Sequence, residues 1–170
     1  MFAIRELGLG PIALGFTIAA GGAGDLLGAL FAAPAVRRFG LGPTMLTAWA
    51  LSSIALLLVP LAGGTMAVIL TMMMTAQVIG DGLRSVYDIN EVSLRQSVTP
   101  DRLLGRANAS VQLLVAGIAP FGALVGGWLG TAAGVRQTLL IAIAGILVSG
   151  LWLIFSPVPK LERYPESESV

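Results

Sequence analysis

The sequence contains no cysteine and no histidine. The first absence excludes disulfides, thiol nucleophiles and iron–sulfur ligation; the second excludes imidazole general bases and the commonest zinc and copper ligands. Charge is scarce too: Asp, Glu, Lys and Arg make up 11% of the 170 residues, against about 25% in an ordinary soluble domain. The net charge is +1, and no basic run is dense enough to track phosphates, which excludes nucleic-acid binding as a function class. Only carboxylates, guanidinium groups, hydroxyls and amides remain. No metal site, cofactor or catalytic group is expected, and the chain reads as a non-enzyme.

What is abundant is apolar surface, 56% of residues at a mean hydropathy of +0.89. A membrane-spanning helix needs about 20 mainly apolar residues, and five stretches qualify, at about 11–32, 43–62, 66–88, 109–133 and 137–155. The expected fold is all-α and polytopic, with the lipid bilayer as its surroundings. Asp25 alone interrupts the first stretch, and Pro157 and Pro159 end the last. The opening "MFAIRELGLG" lacks the pattern of a cleavable signal, and the polar residues 158–170 are expected to form a disordered cytoplasmic tail.

Loop arginines suggest an orientation. Arg37 and Arg38 follow the first span, Arg95, Arg102 and Arg106 the third, and Lys160 and Arg163 the fifth, whereas the opposite side has Arg5, Arg136 and the turn Gly63-Gly64. The positive-inside rule then puts the amino terminus outside and the carboxy terminus in the cytoplasm. Small residues suggest helix contacts: Gly24 and Gly28 on the first span, and Gly122, Gly126, Gly130 and Gly134 on the fourth, recur every fourth position. Pro120 removes the helical bond to the carbonyl of Ala116 and is expected to kink its helix. Thr99 is expected to cap a short interfacial helix starting at Pro100.

Charge inside the membrane is concentrated in "QVIGDGLRSVYDINEVSLRQ". Asp81, Arg84, Asp88, Glu91 and Arg95 follow one another at steps of three, four, three and four, which places them along one helical stripe. Counted from Met66 at 1.5 Å per residue, about 30 Å of hydrocarbon ends near residue 86. Asp88, Glu91 and Arg95 are then expected at or beyond the interface, and Gln77, Asp81 and Arg84 within the membrane. An ionised side chain at a helix centre costs about 2.5–3.5 kcal/mol on insertion scales, so the deeper group should face protein or water and have partners. Asp25 stands twelve residues before Arg37 and Asp81 fourteen before Arg95, so the two carboxylates occupy similar depths. A pair or relay of Asp25 with Arg84 is geometrically possible, serving either as a fixed ion pair or in coupling.

The stretches "GLGPIALGFTIAAGGAGDLLGALFAAPAVRRFG" and "NEVSLRQSVTPDRLLGRANASVQLLVAGIAPFGALVGGWLGTAAGVRQTLL" resemble the carboxy-terminal half of Major Facilitator Superfamily transporters, closest to the siderophore and drug efflux branch. The resemblance rests chiefly on Gly105-Arg106 after "TPDRLL", on Gly126-Gly127 and on Arg37-Arg38-Phe39-Gly40. It implies spans eight to twelve of a twelve-span fold, with residues 1–10 ending a missing span and its extracytoplasmic loop. It also implies a fragment of a proton-coupled small-molecule exporter in the cytoplasmic membrane, partnered by a missing amino-terminal bundle. Asp25, Gln77, Asp81 and Arg84 would then be coupling or cavity residues, and Arg37, Arg38, Arg95, Asp101, Arg102 and Arg106 would form the cytoplasmic gate and loop. The acidic residue that often precedes the basic pair in that family is absent before Arg37. Two other readings are a non-transporting membrane subunit or inactive truncated product, and an intramembrane aspartyl protease using "GAGD" (Asp25) and "YD" (Asp88), whose motifs stand here in reversed order.

Overall fold

A computed structural model describes residues 7–165. The expected features at residues 1–6 and 166–170, including Arg5 and the end of the tail, lie outside the described residues. Six α-helices follow one another, α1 (Pro11–Phe39), α2 (Leu41–Ala55), α3 (Leu58–Leu61), α4 (Met66–Val98), α5 (Asp101–Ala132) and α6 (Val135–Phe155), and there is no strand among the described residues. By length and composition they supply five membrane spans, with α2 and α3 together forming the second. The all-helical, polytopic expectation holds.

The boundaries differ in instructive places. The second span is broken at Leu56-Leu57 because Pro60 has no N–H to give the Leu56 carbonyl; Val59 takes that acceptor instead, one residue early, at 3.1 Å. α4 extends ten residues past the expected end at 88, and α5 starts at Asp101 rather than near 109. The separate interfacial helix is thus the first turns of α5. Thr99 ends α4 and Pro100 precedes α5, with no side-chain cap at that start. α5 runs on through Pro120 as one helix.

The helices alternate between two membrane edges. At one edge Leu7, Leu9, Ala62, Ile69 and Met73 form a buried cluster with Val135 and Leu139 against it, and Arg136 donates to the Ala62 carbonyl at 2.9 Å. At the other edge lie Arg37 and Arg163, beside a shared cavity. Gly40 (φ 85°) and Gly134 (φ 89°) make the reversals into α2 and α6, using backbone that other residues adopt only with strain. Gly134 is therefore a turn residue and not part of a packing ridge.

α1, α2 and α4 form the centre. Ala32, Ala48 and Val86, one from each, are buried together. α1 buries Thr17, Ala20, Gly21, Gly24, Gly28 and Ala32 and meets α4 through Gly21, Gly24 and Gly28, at helical steps of three and four. A Cβ on Gly24 would come within 2.5 Å of the Val78 carbonyl, and one on Gly28 would overlap the carbonyl of Gly82. Backbone meets backbone here, the arrangement that lets membrane helices associate through dispersion where no hydrophobic effect drives them.

α6 lies against α2, where Gly150 leaves room for the Trp49 indole; an added Cβ would overlap the ring. Gly150→Leu is expected to cost about 1–3 kcal/mol of stability as an overpacking change, read as a lower unfolding midpoint in detergent. The ridge on α5 is different. No residue of α5 is buried, and a Cβ at Gly122, Gly126 or Gly130 would meet nothing within 4 Å. Gly126→Leu should therefore change the stability of this chain by less than about 0.5 kcal/mol, measured in the same titration; a larger loss would mean that this face is covered.

The expectation of a disordered tail is corrected for residues 158–165. Val158–Lys160 form one 3-10 turn, and the carbonyls of Leu161 and Glu162 accept hydrogen bonds from Gly42 and Leu41 at 2.8 and 3.2 Å. The first amides of α2 have no intrahelical acceptor, so they provide the tail with donors that its composition did not disclose.

Candidate functional site

The charged stripe of α4 separates into paired and unpaired groups. Arg84 binds Asp88 (3.3 Å) and Arg95 binds Glu91 (3.4 Å), each one helical turn away. Asp81 belongs to neither ion pair. Arg84 therefore has its partner on its own helix rather than in Asp25, and the Arg84–Asp88 pair is well exposed, at 70% and 53% of the two side chains. An exposed pair of this type contributes little stability.

Asp81 is held between helices. It and Gln77 are half-buried and lie against Gly21 of α1, where an added Cβ would run into the Asp81 carboxylate and approach Gln77 Nε2 to 3.3 Å. Gly21 is thus absent as a side chain so that two polar groups of α4 can sit at the α1 surface. Asp25 stands one turn along α1 from Gly21, and it and Arg84 are the charges within electrostatic reach of Asp81. Asp25 itself is exposed on α1. Asp88, the second carboxylate of the protease alternative, is instead engaged by Arg84.

Asp81 also borders a cavity of about 320 Å³, lined by Trp49, Ser52 and Ser53 of α2, by Gly80, Arg84, Tyr87 and Asp88 of α4, and by Ile146 of α6. Gly80 faces α2 there, and a Cβ on it would make ordinary contact with Ala55 and the Ser52 carbonyl, at 3.8 and 3.9 Å. Both serine hydroxyls donate to the Trp49 carbonyl, at 2.9 and 2.8 Å, which satisfies them inside an apolar helix while leaving their lone pairs toward other donors. Trp49, Ser52 and Ser53 were not singled out in the sequence, where the second span reads as an uncharged support. The adjacent serine pair, one turn after a tryptophan in a span without charge, was the available signal.

Geometry also fixes which way the polar stripe faces. At about 100° per residue, Arg84 and Asp88 lie opposite Val86, and Val86 is buried against α1 and α2. Arg84 and Asp88 are therefore on the side of α4 away from that cluster, whereas Gln77 and Asp81 meet α1.

The remaining expected residues are at the basic edge. Arg37 and Arg38 close α1, with the Arg38 guanidinium 5.7 Å from the centre of the Phe39 ring, and Asp101, Arg102 and Arg106 are exposed in the first turns of α5. Asp101 suits the positive end of the helix dipole. Arg95 is on the last turn of α4. No group of acidic side chains among the described residues is arranged to hold a metal ion.

No curated protein and no solved structure matches the chain significantly. The sequence model of the Major Facilitator Superfamily, however, matches residues 1–169. Five apolar helices of spanning length and a family match over nearly the whole sequence agree: the chain belongs to the Major Facilitator Superfamily of membrane transporters.

Proposed function

We propose that the chain is the carboxy-terminal bundle, spans eight to twelve, of a proton-coupled exporter of small molecules in the cytoplasmic membrane, with its basic edge in the cytoplasm. The observation that supports the coupling assignment is the position of Asp81, which is unpaired and pressed against Gly21 within electrostatic reach of Asp25. Two carboxylates on different helices at one depth interact more strongly in low dielectric than in water, so proton uptake by one alters the contact between the helices. Gln77, Trp49, Ser52 and Ser53 supply hydrogen-bonding and aromatic surface for a substrate, and the Arg84–Asp88 pair borders it toward the basic edge. A family of transporters does not favour the protease reading.

Alternating access needs two bundles around a shared site. The exposed Arg84–Asp88 pair of α4 and the uncovered face of α5 suit a second helical bundle, from the same polypeptide or another. The test is transport by the assembled protein in vesicles under an imposed pH gradient. Asp81→Asn and Asp25→Asn should each abolish the dependence on the gradient while leaving assembly intact. Unaltered gradient dependence in both variants would refute the coupling role. If the chain co-purifies with a partner bundle yet transport is indifferent to every residue of the site, a non-transporting subunit is the better description.

A further inference from the structure

The residues after α6 are fastened to two other helices at three separate points. The carbonyls of Leu161 and Glu162 accept from the first amides of α2. Gly42 lies so close to the backbone of Val158 and Pro159 that no Cβ would fit there. The Tyr164 hydroxyl donates to Asn90 Oδ1 on α4. Asn90 is 1% exposed, and its amide donates to the Val86 carbonyl at 2.6 Å, so Tyr164 supplies a partner for an oxygen that burial removes from water. Leu41, the other end of the contact, is 0% exposed.

We infer that the edge formed by the start of α2 and Asn90 of α4 is a docking surface for a bent peptide segment, and that the chain's own residues 158–164, a 3-10 turn followed by a bend, occupy it as a clasp with Tyr164 as the catch. Two features make the surface selective. The amides of Leu41 and Gly42 bind a backbone bent so that two consecutive carbonyls face them, whereas Gly42 and Asn90 set the register: one admits main chain only where no side chain intervenes, and the other accepts a hydroxyl at a fixed distance beyond. The clasp joins the start of α2 to α4 at Asn90, two residues past Asp88, so the two helices are held as one unit at that edge. The inference depends on these contacts and not on the transport reading.

Amide hydrogen exchange on the full chain in lipid nanodiscs, resolved by residue, tests it. The first amides of a helix have no partner within it, so protection at Leu41 and Gly42 reports the docked segment directly. Both should exchange slowly in the parent chain. Tyr164→Phe should accelerate both about tenfold, the effect of one hydrogen bond lost to a buried acceptor, with no change at Gln77–Arg84. Asn90→Leu should act similarly, and the double variant should be no faster than either single one. Gly42→Val should remove protection at Leu41 altogether. Unchanged exchange in Tyr164→Phe and Gly42→Val would overturn the inference, as would strictly multiplicative effects of Tyr164→Phe and Asn90→Leu. Should Asn90→Leu disturb α4 itself, seen as faster exchange at Gln77–Arg84, the outcome rests on Tyr164→Phe and Gly42→Val.

Discussion

Gly28→Leu is expected to separate α1 from α4 and to cost about 3 kcal/mol or more, the upper range for an overpacked contact. The Gly82 carbonyl occupies the space that any Cβ at Gly28 would need, and the Ser85 side chain is 2.9 Å from the same point. Neither can withdraw without moving a helix, since one is backbone and the other is rooted one turn away. Two neighbouring contacts, at Gly24 and Gly21, would be lost with it, so the effect extends along the interface. Unfolding in mixed detergent micelles measures it. The control is Gly22→Leu on the same helix, where an added Cβ meets nothing within 4 Å and the midpoint should move by less than about 0.5 kcal/mol. Equal behaviour of the two variants would mean that α1 and α4 do not approach as described.

The second large effect is expected on transport. Asp81→Asn keeps the shape of the side chain and its ability to hydrogen-bond but removes its titration. With the neighbouring charges of Asp25 and Arg84 in place, the helices lose a switchable interaction and retain a fixed one. Gradient-driven transport by the assembled protein should fall about tenfold or more, within the usual range of coupling between linked sites, while gradient-independent exchange of substrate persists. Arg84→Gln provides the contrast. Its ion pair with Asp88 is on one helix and exposed, so stability should change by less than about 1 kcal/mol. Loss of both driven transport and exchange in Asp81→Asn would show that the aspartate binds substrate or holds the fold rather than coupling protons.

The two aspartates also show how far the sequence reaches into the site. Counting residues back from Arg37 and Arg95 leads to the expectation of one depth for Asp25 and Asp81, because helical rise is constant and loop charge is expected to mark the membrane edge. Rotation about the helix axis is a different matter. Asp81, Arg84 and Asp88 share a stripe by periodicity, yet one lies at the α1 surface and the other two pair with each other, and only the packing of Gly21 against α4 makes that division. The serines of α2 entered the site for a similar reason. Nothing local distinguishes a hydroxyl that lines a cavity from one that satisfies its own helix, and Ser52 and Ser53 do both.

Glycine spacing illustrates the limit again. Gly24 and Gly28 meet α4, whereas Gly122, Gly126 and Gly130 repeat at the same interval and meet nothing. A ridge of small residues permits close approach without naming the partner.

From the sequence alone come the all-helical class and the five stretches long and apolar enough to span a membrane, because these follow from the cost of placing polar groups in hydrocarbon, a property of each residue and its neighbours in the chain. The tertiary structure alone decided which glycine faces are used, that Arg84 turns to Asp88, that Trp49 and the serines join Asp81, and that the residues after α6 fold back to Asn90. Those outcomes depend on contacts between residues tens of positions apart, such as Gly21 with Asp81 and Asn90 with Tyr164. Close packing selects among many pairings that local hydropathy leaves equivalent.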